Sequence, residues 1–359
     1  MAGKFTLWLY ILLLIWIGLG VISLYIPPHI FWPAGFVAYS LPIALFFNLV
    51  FLGWWLLRFS WKAVLALALT IALFGLYSRS FKILFSEPED IKSATSFKLL
   101  SYNVRSFNIF PTPKKDHLKA SGKFLSVVAE LEADILCLQE FYNYSKKLKS
   151  TERLSKLYPH HYFSISSEGK RGNQYGLAIF SKFPIIKKGT IAFGELNSNH
   201  AMFADIKVYN DTIRVYNFHL QSMAIRREII PEINDNKELL RSKGSSLYKR
   251  LRFGFVTRGK QINSLRNHID SSPYPVIATG DLNDLPHSYT YEYMRKNLKN
   301  SFEEAGSGLG TTFAGGFLPF LRIDNQFVST EIEVIKFETL DTIRYSDHLP
   351  TFGIYSVGG

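Results

Sequence analysis

The sequence predicts an α/β domain preceded by apolar helices long enough to cross a bilayer. Three observations predict it. Residues 1–82 contain no Asp or Glu and carry only Lys4, Arg58, Lys62, Arg79 and Lys82 as charges. Residues 97–355 alternate short apolar runs, rich in β-branched residues, with helical patterns such as SGKFLSVVAELEA and RGKQINSLRNHI. The apolar runs end, one after another, in Asn, Asp, Glu or His, and open α/β folds usually keep their ligand sites at such strand ends. With 359 residues, 47% of them hydrophobic, the chain can bury a sizeable core.

In the first part, FTLWLYILLLIWIGLGVISLYI (5–26) and GFVAYSLPIALFFNLVFLGWWLL (35–57) are each long enough for a hydrocarbon core of about 30 Å. AVLALALTIALFGLYS (63–78) is shorter but uncharged, and is flanked by Trp61, Lys62 and Arg79. Three transmembrane helices are the economical reading. The buried hairpin of a soluble protein seldom stays apolar all round for about 20 residues, and a cleaved signal peptide would not be followed by two more apolar segments. With three spans, Lys4, Arg58 and Lys62 share one side, while YIPPHIFWPAG on the other carries no Lys or Arg. The positive-inside rule then puts the amino terminus in the cytoplasm and the following domain outside a bacterial-type inner membrane. If 63–78 does not span, that domain faces the cytoplasm. The polar run SEPEDIKSATS marks a linker over 83–95, leaving 96–356 as the following domain.

Five of the +12 net charges belong to residues 1–82, and much of the remainder is concentrated in 222–260. There, cations interleaved with Ile, Leu, Tyr and Phe suit a phosphate backbone, an anionic membrane surface or a solvated helical face. The lone cysteine, Cys137, rules out an intramolecular disulfide.

Taken in order, FKLLSYNV ends at Asn103, DILCLQE at Glu140 and TIRVYNFHL at His219. PVIATGDLND holds Asp281, Asn283 and Asp284 just past Gly280; RIDNQFVS contains Asp324; YSDHLPTFGIYS opens with Asp347 and His348. Any one of these is ordinarily a turn residue, a cap or a satisfied histidine. Together they form a set suited to hydrolysis of a phosphate ester. A hard divalent cation such as Mg²⁺ or Mn²⁺ takes one or two protein carboxylates, a task that suits Glu140. A separate carboxylate must take the proton of the attacking water, while amides and imidazoles donate to the phosphate. There is no HExxH or CxxC spacing for zinc, and no GxSxG elbow, P-loop or GxGxxG, which argues against serine hydrolases, kinases and dinucleotide enzymes.

The segments LSYNV, LCLQE, YGLAIFSKFPI, NFHLQS, ATGDLND, RIDNQF and SDHLP resemble, in order and spacing, the motifs of the endonuclease/exonuclease/phosphatase superfamily over about residues 96–356. The resemblance implies a four-layered α/β sandwich of the deoxyribonuclease I-like kind, with two mostly antiparallel sheets face to face and the site at one end. It implies that Glu140 is the principal metal ligand, with Asn103 beside it touching metal or phosphate. Asp281 would orient and deprotonate the water, and Asn283 would hold that water or the phosphate. His219 and His348 would donate to phosphate oxygens, Asp324 would fix the tautomer of His348, and Asp347 would be a second metal ligand or a partner of the site. Asp284 reads as a turn residue. Asn325 and Gln326 depart from the pattern, since relatives often carry an aromatic or aliphatic pair there. The superfamily cuts nucleic acids and also phospholipid or inositol phosphate head groups; nucleic acid is placed slightly ahead as substrate, and no obligate protein partner is evident.

Overall fold

The computed structural model describes residues 2–83, 95–108, 124, 126–144, 150–169, 173–194, 199–225, 230, 232, 236–315 and 321–358. The chain divides into two units, Met1–Phe81 with Met223–Gly259 and Leu285–Tyr293, and Lys82–Ser222 with Lys260–Asp284 and Met294–Gly359. The predicted linker 83–95 lies almost wholly outside the described residues.

In the first unit, α1 (Ala2–Ser23) and α2 (Pro33–Leu57) are followed by α3 (Ala63–Ala72) and α4 (Phe74–Ser78). Tyr10, Leu13 and Ile17 of α1 pack with Ala38, Leu41 and Leu45 of α2 in one cluster. Asn48 sits fully buried among the helices, accepting from the Tyr10 hydroxyl at 2.8 Å and donating to Thr70 at 2.9 Å and Tyr77 at 3.1 Å. Those bonds offset the desolvation of its amide in apolar surroundings. The opposite stripe of α1, with Phe5, Trp8, Leu12, Ile15, Leu19 and Ile22 at helical spacing, is exposed. The helix is therefore apolar on both faces, as a segment in lipid would be. Lys4–Ser23 and Pro33–Leu57 are long and apolar enough to cross a membrane.

The third expected span, 63–78, is not one helix. It breaks at Leu73 into a ten-residue and a five-residue helix, next to Gly75, whose missing side chain weakens helix propagation. Ten residues rise only about 15 Å, half of a bilayer core. The two pieces nevertheless return along α2, the Tyr77 hydroxyl donating to the Leu45 carbonyl at 3.1 Å. Beyond them Arg79 pairs with Glu292 at 2.6 Å, and the Tyr25 hydroxyl, from the turn after α1, lies 3.5 Å from the same carboxylate.

The second unit contains two six-stranded sheets. The first joins β1 (Ser96–Asn103), β2 (Ile135–Tyr144), β3 (His160–Gly169), β4 (Asn173–Ser181), β11 (Ile332–Thr339) and β12 (Thr351–Val357) in the order β11-β12-β1-β2-β4-β3. The second joins β5 (Ile185–Ala192), β6 (His200–Val208), β7 (Asp211–His219), β8 (Val276–Asp281), β9 (Lys299–Asn300) and β10 (Asp324–Val328) in the order β5-β6-β7-β8-β10-β9. Among the described residues, only β1 with β2 and β7 with β8 run parallel. Parallel neighbours need a long crossover, which helical residues 126–131 and α6 (Lys237–Asp270) supply.

Strand alternation builds the layers. Leu99, Ile135, Cys137 and Ile179 of the first sheet meet Met202, Ile213, Val215 and Ile277 of the second in one core. Their neighbours Leu100, Leu136, Leu138 and Phe180 point the other way, onto Phe124, Val128 and Leu154, the last in α5 (Ser150–Leu154). On the outer face of the second sheet the last turns of α6 cover Tyr216, whose hydroxyl lies 2.9 Å from His268 Nδ1. Helix, sheet, sheet and helix make the four layers that the motifs implied. The pattern RGKQINSLRNHI lies inside this 34-residue helix, and SGKFLSVVAELEA lies partly outside the described residues.

Candidate active site

The period of two that buries the core also aims the polar residues. On β7, Ile213 and Val215 face the other sheet, so Asn217 and His219 do too; on β8, Ile277 is followed by Thr279 and Asp281; on β10, Val328 is preceded by Gln326 and Asp324. The register places His219 opposite Asp281 and Asp281 opposite Asp324, three chemical side chains in one row on one face. Gly280 lets β7 and β8 approach here. Its φ is 145°, and a Cβ would lie 2.0 Å from the Phe218 carbonyl oxygen.

Below that row a polar layer joins the two sheets. Asn217 donates to the Leu138 and Ala178 carbonyls, each at 2.9 Å, and accepts from Gln139 at 2.7 Å. Gln326 donates to the Thr351 carbonyl at 2.9 Å and accepts from the Tyr355 hydroxyl at 2.5 Å, while Asn325 accepts from Asn300 at 3.2 Å. The departure at Asn325 and Gln326 is thus matched by polar partners in the core.

Glu140 reaches the site by breaking the alternation. Leu136 and Leu138 point to the helical layer, and regular pleating would send Glu140 with them. Instead the pairing of β2 with β4 shifts between Leu138 and Phe141, and Glu140 adopts φ 50°. This β-bulge re-aims its carboxylate. Oε1 lies 3.3 Å from Asn103 Nδ2 and 3.8 Å from His219 Nε2.

Asp281 is the centre of the cluster and is 1% exposed. Its Oδ1 accepts from the Asn283 backbone N–H at 2.7 Å and its Oδ2 from Asn103 Nδ2 at 3.0 Å. His219 Nε2 at 3.7 Å and His348 Nε2 at 3.8 Å lie beyond bonding distance of the same oxygen, which leaves room for a ligand among them. The Asn103 amide oxygen accepts from the Arg105 N–H at 3.0 Å, so this side chain presents its nitrogen to the carboxylates. Asn283, at φ 50°, donates to the Leu220 carbonyl at 2.9 Å. His348 Nδ1 and Asp324 Oδ2 are 2.9 Å apart, which fixes the ring with Nε2 toward Asp281. The structure therefore brings Asn103, Glu140, His219, Asp281, Asn283, Asp324 and His348 together. The Asp347 carboxylate pairs with Arg105 at 3.1 Å, and its charge acts on the neighbouring His348. Asp284 is buried beside the turn.

Burial, and then the charge of Asp324, push the Asp281 carboxyl up to about 6, against the opposing pull of His348 and His219. Burial alone would lower His348, but the carboxylates of Asp324 and Asp281, the bond to Asp324 and the charge of Asp347 outweigh it and raise the imidazole to about 10. At neutral pH the centre therefore holds a carboxylate beside an imidazolium. Tyr175 of β4 is a site residue that motif reading missed. Burial, followed by the charges of Glu140 and Asp281, keeps its hydroxyl protonated beside Glu140. Its only signal was the leading position in YGLAIFSKFPI.

A divalent cation can be tested against these donors. Asp281, Asp324 and His348 offer ligand atoms within 4.8 Å of one another, and a cation there would have to displace the proton that the metal-free site places on His348. Glu140, whose side chain is 26% exposed, and the buried Asp324 Oδ1, which has no hydrogen-bond partner among the described residues, are hard oxygens at the site.

Residues 100–348 match the sequence model described as Endonuclease/Exonuclease/phosphatase family, and residues 3–80 match one described as a domain of unknown function (DUF8431). No curated protein sequence matches the chain. Among solved structures, an endonuclease/exonuclease/phosphatase from Bacteroides vulgatus is 17% identical, with 74% of this chain and 100% of that one covered at a TM-score of 0.55. The human Nocturnin catalytic domain, solved with a bound sulfate anion, is 17% identical over 74% and 95% of the two chains at 0.53. A mannosyl-6-phosphatase from Bacteroides thetaiotaomicron is 17% identical over 72% and 99% at 0.50. At these identities the likeness concerns the fold.

Proposed function

Because the chain belongs to the endonuclease/exonuclease/phosphatase family, whose members are phosphoesterase hydrolases, we propose that it is a membrane-anchored, divalent-metal-dependent phosphoesterase in which Asp281 activates the attacking water. The observation that carries the reading is the convergence of Asn103, His219 and His348 nitrogens on Asp281 Oδ2 at 3.0, 3.7 and 3.8 Å. A carboxyl raised to about 6 is ionised at neutral pH yet more basic than an ordinary aspartate. His219 and the imidazolium of His348 donate to the phosphate oxygens, Asn103 holds the Glu140 and Asp281 carboxylates in place, Asn283 holds the water, and Asp324 keeps His348 oriented and charged. Glu140 would hold the Mg²⁺ or Mn²⁺, with the Tyr175 hydroxyl beside it, and Asp324 Oδ1 is a hard oxygen open to a ligand. The cation, when bound, supplies positive charge to the phosphate.

kcat/KM is expected to fall as Asp281 protonates below about 6 and as His348 deprotonates above about 10. The cation, by favouring the carboxylate, moves the acid limb lower still, so a limb well above 6 in a pH profile contradicts the assignment. Tyr175→Phe is expected to weaken metal affinity by about 10- to 100-fold, the usual effect of losing a ligand's hydrogen-bonded support. A metal titration of activity reads this, and an unchanged midpoint contradicts it.

Nucleic acid is the first substrate class, and a phospholipid or inositol phosphate headgroup is the second. The apolar helices favour the second, since they hold the enzyme where such headgroups are. Hydrolysis of DNA, RNA, sphingomyelin, phosphatidylinositol and a chromogenic phosphodiester by the full chain with Mg²⁺ separates them. The outward apolar stripe of α1 supports the anchor. The meeting of Tyr25 and Arg79 at Glu292 supports a chain that leaves α4 on the side of the turn after α1, opposite the amino terminus. A carboxy-terminal reporter active only outside the cytoplasm is therefore expected to be active, and activity of a cytoplasm-only reporter contradicts that topology.

A further inference from the structure

Helix α6 carries a face that phosphate ester hydrolysis does not use. Between Lys237 and Gly259 seven Lys or Arg residues stand against one acid, Glu238. At helical spacing Arg241, Tyr248, Lys249 and Arg252 share an exposed side. The Arg252 guanidinium lies 5.1 Å over the Trp32 ring, and Tyr248 meets Trp32 edge-on at 5.6 Å while stacking on Phe36 at 5.5 Å. One turn on, Phe255 packs on Phe36 at 5.1 Å and Tyr39 at 4.6 Å. Gly35 permits this contact, since a Cβ there would lie 2.6 Å from the Phe255 ring.

These contacts fix the level of α6. Trp32, Phe36 and Tyr39 occupy the start of α2, so the cations stand beside the point where a helix of crossing length begins. Ile30 and Phe31, in the turn just before it, are exposed apolar residues. Tryptophan, tyrosine and cations at the end of a membrane helix occupy the headgroup layer, where lipid phosphates lie. We propose that Arg241, Lys249 and Arg252, framed by Trp32 and Tyr248, bind the phosphates of anionic lipid headgroups in the leaflet that α2 enters. The proposal rests on the reading that α1 and α2 span the membrane. Arginine forks fit phosphate oxygens bidentately and Lys249 adds a point charge. A single-stranded nucleic acid fits less well, because base stacking needs open ring faces, whereas Phe36 stacks on Tyr248 and Arg252 covers Trp32.

The test uses the detergent-solubilised full chain titrated with fluorescent phosphatidylglycerol or phosphatidylcholine. Each cation next to an anionic surface strengthens binding about fivefold, so a triple variant, Arg241→Gln with Lys249→Gln and Arg252→Gln, is expected to lose on the order of 100-fold in preference for phosphatidylglycerol. Arg241→Lys with Arg252→Lys is expected to retain most of it, which separates charge from fold. Absence of the preference in the wild type, its persistence in the triple variant, or displacement of phosphatidylglycerol by an equal concentration of single-stranded oligonucleotide would overturn the proposal. Washing membranes with alkaline carbonate tests the underlying reading separately. Wild type and triple variant are both expected to stay in the membrane, and release of the wild type overturns the spanning helices and, with them, the level assigned to α6.

Discussion

Asp281→Asn is expected to lower turnover by about 10²- to 10⁴-fold and to leave substrate affinity nearly unchanged, because a general base acts on the reacting water and not on the bound phosphate. Asparagine keeps the shape and can still accept from the Asn283 N–H. The same change should stabilise the metal-free fold. The Asp281 carboxyl is raised in the folded chain to about 6, above its ordinary value of about 4. Ionising it therefore destabilises the native state, increasingly as pH rises between those values and fully above the higher one. At neutral pH the uncharged amide of the Asp281→Asn variant escapes that cost, so Tm should rise as turnover falls. Asp284→Asn removes a charge from the same turn, and it is expected to do far less to turnover. Equal losses in the two variants, or a loss confined to affinity, contradict the role given to Asp281, and a fall in Tm contradicts its electrostatics.

Removal of divalent metal is expected to abolish activity, and Mg²⁺ or Mn²⁺ to restore it. Glu140 sits on a bulge that turns an otherwise outward carboxylate into the site, as expected if it serves an ion more than the core. Glu140→Gln preserves size and should leave the fold intact while shifting the metal midpoint to much higher concentration. Full activity in excess chelator contradicts the metal assignment, and an unchanged midpoint in Glu140→Gln moves the ion elsewhere.

The placement of Asn103, His219, Asp281 and Asp324 was legible in the sequence because strand alternation is local. Ile277, Thr279 and Asp281 must share a face once Ile277 is buried, and the same arithmetic carries Val215 to His219. Glu140 was legible only as a residue type, since the bulge that aims it arises from pairing between β2 and β4. Tyr175 was missed because a tyrosine at a strand start is ordinarily packing, and only its contact with Glu140 distinguishes it. The apolar breadth of 63–78 was legible, but hydropathy cannot sense the break at Leu73. Asp347 precedes His348 in a loop, where spacing says nothing of direction, and its pairing with Arg105 depends on the chain just past β1.

Activated water attacking phosphorus is the central claim, and hydrolysis of a chromogenic phosphodiester by the full chain with Mg²⁺ in heavy-oxygen water tests it most directly. The account predicts label in the phosphate product from the first turnover, none in the released alcohol, and loss of the reaction in Asp281→Asn. Label in the alcohol, or an unlabelled phosphate product in the first turnover, would contradict it.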